Sequence, residues 1–322
     1  MIDPSHTVII VTPVYEDAEA SSKLFDELGS HFGKSVFIVA VDDGSVRQPL
    51  PLTNLTNAYV SGVVLRLRRN VGHQRAIAVG LGFAAEHMHP SQAVVVMDSD
   101  GEDVPATIPA LLDALQDIEC DVVVSQRKSR IETLKFKTFY TVYKSFFRLM
   151  TGRSISFGNF MALKYHSVQR LAVMQELPIH VAGAVLASKL RIKPTSIDRG
   201  PRYAGQSKMN FIGLALHGFK ALMIFAEDVL VRVGIACAII AGLSFIGASL
   251  AVILKLVGLS TPGWFSIALG ILVLIFLQTG ALALMTLMLT GVMRSGSIVT
   301  PEGYKGLVLE ILPSRTDGGG AL

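Results

Sequence analysis

Ala93-Val94-Val95-Val96-Met97-Asp98-Ser99-Asp100 is the stretch on which the reading of this chain turns. Five uncharged apolar residues, three of them valine, read as a strand buried on both faces, the kind that parallel sheets are made of. The two carboxylates at its carboxyl end fall where open α/β sheets hold their ligands. In an extended segment, alternate side chains do not crowd one another, so one oxygen from each aspartate can reach a single hard cation. Mg²⁺ or Mn²⁺ is commonly held by one or two carboxylates, with water and substrate phosphates completing the shell. The plainer alternative is that both aspartates only cap the turn and the following helix.

Outward from that point the first half of the chain alternates strands and helices. Apolar runs at residues 7–12, 36–41, 63–67, 93–97 and 121–125 predict strands, and the patterns at 17–32, 71–88 and 105–116 predict helices. Pro105 suits a first helical turn, where its missing N–H costs nothing. Residues 48–57, rich in Pro, Thr and Asn, read as a loop. Strands alternating with helices of this length predict an α/β fold, a mostly parallel sheet covered on both faces. Gly80-Leu81-Gly82-Phe83-Ala84-Ala85 imitates a dinucleotide fingerprint but falls inside a helical stretch, so its glycines are expected to serve helix packing.

The second half differs. Of the 322 residues, 51% are hydrophobic and only 17% charged, against roughly a quarter charged in ordinary soluble domains. The excess apolarity is concentrated in two uncharged stretches, residues 233–254 and 264–293, each long enough to span a bilayer. Pro262-Gly263 marks the turn of this hairpin. Lys220, Arg232, Arg294, Lys305 and Arg315 flank it on the side opposite that turn, which has only Lys255 at its edge. The positive-inside rule then puts the large domain, the tail and both termini in the cytoplasm. A basic n-region is missing at Met1–His6, so no secretory signal is expected.

Residues 130–153 carry Lys135, Lys137, Lys144, Arg148 and Arg153 among Phe and Tyr, a pattern suited either to a helix in the headgroup plane or to one packed on the sheet. Residues 210–232 are a second candidate juxtamembrane helix. The expected organisation is a catalytic domain over 1–209, the juxtamembrane helix 210–232, a transmembrane pair within 233–293, and a frayed tail 294–322. A net charge of +4 is too mild to argue for nucleic acid and fits an anionic membrane surface at least as well. Cys120 and Cys237 are expected to be buried, separate and reduced. Small residues such as Gly234, Ala238, Gly242, Gly247 and Ala248 suit close helix contacts, within one protomer or in a homo-oligomer.

Three predicted strands end in Val11–Glu16, Val41-Asp42-Asp43-Gly44-Ser45 and Asp98-Ser99-Asp100, which converge on one crevice. Asp43 could accept hydrogen bonds from a base or a ribose hydroxyl, or simply cap the next turn. Jointly the three ends point to a nucleotide diphosphate bound with a divalent ion.

With Val11–Asp17, Val41–Ser45, Arg69-Asn70-Val71-Gly72-His73-Gln74, Met97–Asp103, Arg202-Tyr203-Ala204-Gly205-Gln206-Ser207-Lys208 and then the hairpin, residues 7 to 293 resemble a family 2 glycosyltransferase of the GT-A fold. Within that family the resemblance is to the polyprenyl-phosphate glycosyltransferases, such as dolichol-phosphate mannose synthase and bacterial undecaprenyl-phosphate sugar transferases. The resemblance implies an inverting, Mg²⁺- or Mn²⁺-dependent transfer from a UDP- or GDP-linked sugar to a polyprenyl phosphate, at the inner face of a bacterial plasma membrane. It implies that Pro13, Tyr15, Glu16 and Asp43 line the nucleotide pocket, that Asp98 meets the sugar nucleotide and that Asp100 holds the metal. Gly101-Glu102 stand where the family often has Leu-Gln, and Glu102 would add a carboxylate to the metal. Arg127 and Arg202 match phosphate-holding positions, and Lys135, Lys137 and Ser207 would join them around the lipid phosphate. His180 carries no catalytic expectation.

Two other functions are consistent with the residues: transfer to another membrane acceptor, such as a diacylglycerol or a growing polysaccharide, and a catalytically silent membrane scaffold. Processive relatives carry Gln-x-x-Arg-Trp, and the sole tryptophan here, Trp264, lies at the hairpin. Asp43, Asp98 and Asp100 argue against a silent scaffold, because a retired site has no physical reason to keep a costly acidic cluster.

Overall fold

The expected strands appear as β1 (Val8–Val14), β2 (Val36–Asp42), β3 (Ser61–Leu67), β4 (Ala93–Val96) and β5 (Val122–Arg127). The computed structural model describes residues 2–127, 134–203, 211–259, 261, 263–294 and 300–314, with backbone alone at 127, 134–140, 211–212, 214–215, 290–294 and 301. Every residue of β1 is buried. Its alternate side chains feed two cores: Ile9 and Val11 on one face, Val8 and Ile10 on the other. That two-sided burial is why these runs show no polar alternation.

The helices on the two faces are α1 (Ala18–Phe32), a short α2 (Thr53–Asn57) within the expected loop, α3 (His73–His87) and α4 (Ile108–Leu115), the last preceded by a 3₁₀ turn at Pro105–Thr107. Gly80 and Gly82 do serve packing. A Cβ on Gly80 would lie 2.5 Å from Val11, and one on Gly82 would lie 2.9 Å from the Tyr304 ring.

Among the described residues the sheet has eight strands, in the order β7-β5-β6-β4-β1-β2-β3-β8. Three of them were not expected. β6 (Met161–Leu163) is only three residues long and runs antiparallel between β4 and β5. β7 (Ile192–Ile197) carries Lys193 and Pro194, tolerable because it is an edge strand. Between β5 and β8 also lie α5 (Leu134–Thr151), α6 (Tyr165–Ala172), α7 (Val181–Ala187) and α8 (Phe211–Ile224).

Residues 300–314 correct the expectation of a frayed tail, while 295–299 and 315–322 lie outside the described residues. A 3₁₀ segment, Pro301–Leu307, leads into β8 (Val308–Ser314), which pairs antiparallel with β3 and covers what would otherwise be an open edge. Tyr304 is buried against α3, and its hydroxyl donates to Glu86 at 2.5 Å. The partner that orders this tail lies more than 200 residues away, beyond the reach of any local pattern.

Met1–Thr141, Ser154–Ile224 and Val299–Leu322 form one compact unit, and Val142–Arg153 with Phe225–Ile298 form a second. α8 thus groups with the sheet in the first unit, and residues 142–153 group with the hairpin in the second. In the second unit α9 (Ala226–Leu256) packs on α10 (Trp264–Arg294) through small residues, Gly234 against Thr286 and Gly247 against Leu272. Arg232 Nη1 donates to the Leu149 carbonyl at 3.0 Å, and the Arg153 guanidinium lies 5.0 Å from the centre of the Phe225 ring. Both long helices are long and apolar enough to cross a membrane. Cys120 is buried and Cys237 half-buried, both as free thiols.

At the start of β5, Asp121 accepts from Arg191 Nε at 3.0 Å, Arg191 Nη2 at 2.7 Å and His166 Nε2 at 3.1 Å, tying β5 to the approach of β7. The Arg191 hydrogen bonds outweigh burial and hold this carboxyl well below the usual range. Its stabilisation is therefore present above the unfolded-state pKa of about 4 and lost as pH falls below it. Asp121→Asn should cost about 2 kcal/mol at pH 7, and the difference from wild type should shrink in denaturant melts below about pH 4. Tyr304→Ala should cost about 3 kcal/mol through lost aromatic burial, read as an earlier urea midpoint.

Candidate active site

The carboxyl ends of β1 and β4 open onto a cavity of about 870 Å³, whose lining includes Pro13, Tyr15, Asp98, Asp100, Glu102 and Arg202. Six of the expected site residues are thus brought together. Asp98-Ser99-Asp100 is not an extension of the strand, however. β4 ends at Val96, and Ser99 and Asp100 already lie in a turn. Three contacts shape that turn: Ser99 Oγ donates to the Pro13 carbonyl at 3.1 Å, Asp98 N–H to Asp103 Oδ2 at 2.9 Å, and Glu102 N–H to Asp100 Oδ1 at 3.0 Å.

The segment after β7 clasps this turn. Arg202 reaches Asp100 Oδ2 at 2.9 Å and Glu102 Oε1 at 3.0 Å, while Arg199 pairs with Glu102 Oε2. Backbone bonds run alongside, Tyr203 N–H to the Asp100 carbonyl at 2.9 Å and Gly200 N–H to the Glu102 carbonyl at 3.0 Å. Gly101 sits at φ +90°, and a Cβ there would fall 2.7 Å from the Tyr203 ring. No side chain fits between turn and strap.

Burial raises the pKa of Asp100, and the neighbouring charge of Asp98 adds to it, against the pull of Arg202 and Arg199. His73 Nε2 lies 3.2 Å from Asp98 Oδ1 and 3.0 Å from the Asn159 side-chain amide. Burial disfavours its charged form, but Asp98, Asp100 and Asp103 outweigh that and raise its pKa. Gln74, next in sequence, accepts from Val181 N–H at 2.6 Å and so fastens α3 to the start of α7.

Asp43 and Glu16 each accept from loop amides. Asp43 is buried and accepts from the amides of Val71 at 2.7 Å and Gly72 at 3.0 Å, which sets the entry into α3. Glu16 adopts φ +48°, and its carboxylate accepts from the amides of Val46, Arg47 and Gln48. Those three bonds offset a left-handed backbone that costs on the order of 1 kcal/mol. Arg127 ends β5 opposite Ile197. Its side chain lies outside the described residues, as do those of Lys135 and Lys137 and the whole of Ser207. Sequence reasoning missed Arg199, Asp103 and Asn159. Arg199 had a visible signal, since Arg199-Gly200-Pro201-Arg202 places two guanidinium groups in one short loop.

His180, His217 and Lys220 also line the cavity. The two rings stand 4.3 Å apart at 36°. Burial, His217 and Lys220 push the pKa of His180 down to about 3, and burial with His73 and Lys220 lowers that of His217.

The glycosyl transferase family 2 profile matches residues 9–180, more than half of the sequence, and the chain belongs to that family. Among solved structures it is similar to glucosyl-3-phosphoglycerate synthase from Mycobacterium tuberculosis in complex with Mn²⁺, UDP-glucose and phosphoglyceric acid, at 14% identity and a TM-score of 0.50, over 70% of this chain and 80% of that one. The same values hold for that enzyme with Mn²⁺, UDP and glucosyl-3-phosphoglycerate. At such identity the likeness is one of fold, a GT-A-like mixed sheet. No curated protein matches the sequence.

Because Gly101 permits the clasp, Gly101→Ala should force Tyr203 and Arg202 off the turn. Nucleotide-sugar turnover is expected to fall at least about tenfold, the loss of one charge-assisted contact, while the thermal midpoint shifts by only a few degrees.

Proposed function

We propose that this protein transfers a sugar from a UDP- or GDP-linked donor to a polyprenyl phosphate, undecaprenyl phosphate in a bacterium, with inversion at the anomeric carbon. The observation that carries the reading is one cavity lined by Asp98 and Asp100 and also by Arg199, Arg202 and Lys220, in a chain with two helices of membrane-crossing length. Membership of family 2 supports the sugar-transfer chemistry. The likeness in fold to an enzyme solved with Mn²⁺ and UDP-glucose is in keeping with it. The hairpin would be inserted from the cytoplasmic side, in line with its flanking lysines and arginines.

The donor set fits a divalent ion. Asp98 and Asp100 are hard oxygen ligands close enough for one charge to raise the other's pKa, the electrostatic situation that a cation relieves. Asp98 and Asp100 would hold Mg²⁺ or Mn²⁺ together with the donor's phosphates, and the ion supplies Lewis-acid neutralisation of the leaving diphosphate. Glu102, with each oxygen facing an arginine, anchors Arg199 and Arg202 beside the place where that diphosphate charge develops. Arginine suits this place because its fork matches phosphate oxygens.

The nucleophile brings its own charge. A phosphate monoester has a second pKa of about 6, so at neutral pH it is already anionic and needs no general base. A phosphate oxygen attacks the anomeric carbon as the bond to the nucleotide's β-phosphate oxygen breaks with its electron pair, giving the polyprenyl monophosphate sugar and the nucleoside diphosphate.

Purified protein incubated with undecaprenyl phosphate, Mn²⁺ or Mg²⁺ and a panel of UDP- and GDP-sugars should yield the lipid-linked sugar by mass spectrometry. Asp100→Ala and excess EDTA should each reduce turnover at least about 100-fold with the fold retained. Full activity in either condition removes the metal assignment. A product on diacylglycerol and none on polyprenyl phosphate replaces the acceptor.

A further inference from the structure

The wall formed by His180, His217 and Lys220 takes no part in holding the donor as just described, yet it is a constructed feature. His180 is 4% exposed and lines the cavity. Its Nδ1 accepts from the Gly183 N–H at 3.0 Å, which leaves the proton on Nε2 and makes that nitrogen a donor. His217 packs on the same ring from α8. Gly183 permits this approach, since a Cβ there would already sit 3.0 Å from Ile224 and 3.4 Å from His180 Nδ1. Lys220 lies one helical turn beyond His217, is exposed, and makes no ion pair among the described residues.

An unpaired ammonium beside imidazole donors calls for an anion rather than a neutral sugar. His217 is near enough to His73 to feel its charge, and His73 contacts Asp98. Resting on the transfer reaction proposed above, we infer that His180, His217 and Lys220 form the subsite for the acceptor's phosphate, a phosphate monoester, with the two imidazoles donating hydrogen bonds and Lys220 supplying the charge.

This composition suits a nucleophile. Neutral N–H donors hold an anionic oxygen without adding a net positive charge of their own. They fix its position while leaving it less stabilised in the ground state than a cluster of arginines would, and only stabilisation greater in the transition state accelerates the reaction. Burial and the Lys220 charge keep both rings uncharged at neutral pH. The monoester could be a lipid headgroup or a free metabolite. The exposed apolar side chains of Leu216, Phe219 and Met223 on the same helix favour the lipid.

The test is a binding measurement that does not depend on turnover. Full-length protein in nanodiscs is titrated with farnesyl phosphate, a short polyprenyl monophosphate, and separately with 3-phosphoglycerate, followed by ³¹P line broadening. UDP with Mn²⁺ serves as the donor-side control. His180→Gln and His217→Gln should each weaken phosphate binding about fivefold and Lys220→Met about tenfold or more, Lys220→Arg should restore most of the loss, and the UDP affinity should not move. His217 and Lys220 stand on one exposed helix, so they decide the matter even if His180→Gln fails to fold. Tighter binding of farnesyl phosphate assigns the subsite to a lipid, and tighter binding of 3-phosphoglycerate assigns it to a soluble monoester. Unchanged phosphate affinity in the His217 and Lys220 variants, or a wild-type protein that binds neither monoester, overturns the inference. Wild-type protein that binds a monoester at this wall yet transfers no sugar leaves the inference standing and removes the proposed reaction instead.

Discussion

The grip of Arg199 and Arg202 on the Asp100–Glu102 turn is the interaction on which the site depends. Four acidic side chains, Asp98, Asp100, Glu102 and Asp103, are gathered within six residues at the end of a buried strand. Taking several carboxylates out of water together is unfavourable by several kcal/mol per ion unless each is paired or hydrogen-bonded. The strap after β7 supplies two guanidinium groups, and Asp103 turns its own charge onto the Asp98 amide. Parallel backbone bonds hold strap and turn in register, so the arginines need little further ordering to meet the acids. The acidity that makes the turn fit for phosphate and metal chemistry is therefore also what recruits the cations placed beside it.

A second layer of carboxylates keeps the loops around this turn in position. Asp42 accepts from the amides of Ser45 and Leu50, Asp43 from those of Val71 and Gly72, and Glu16 from those of residues 46 to 48. These acids sit at the same sheet edge as Asp98 and were indistinguishable from ligand-binding groups in the sequence. A carboxylate that caps loop amides and one that waits for a ligand have the same side chain and the same place after a strand. Which loop N–H groups each carboxylate takes up is a property of the folded loops, and Asp100 takes one as well.

The same reasoning explains which parts of the fold were legible. β1 to β5 announce themselves because burial on both faces demands uninterrupted Val and Ile. The hairpin is legible because two apolar helices of this length have few other uses in a chain. β6 is too short to show a period, β7 carries Lys193 and Pro194 because it lies at an edge, and β8 is held by an edge of β3 far away in sequence. Of the site, Asp98, Asp100 and Arg202 could be read in advance, since they belong to local motifs. Asn159 and the His180–His217 pair could not, because each meets its partner only where another element brings it in.

Gln74 ties the start of α3 to the start of α7. It follows His73, whose ring meets Asp98, and its own side chain accepts from the amide of Val181, immediately after His180. One helix start therefore meets Asp98 through one residue and the amide that follows His180 through the next. A buried side-chain acceptor on a backbone N–H tolerates little displacement, because leaving that donor unsatisfied costs about 1–3 kcal/mol. An in-line displacement needs its nucleophile and leaving group at a set distance on opposite sides of one carbon, and effective molarity falls quickly when that distance drifts. The bond from Gln74 limits such drift between the start of α3 and the start of α7.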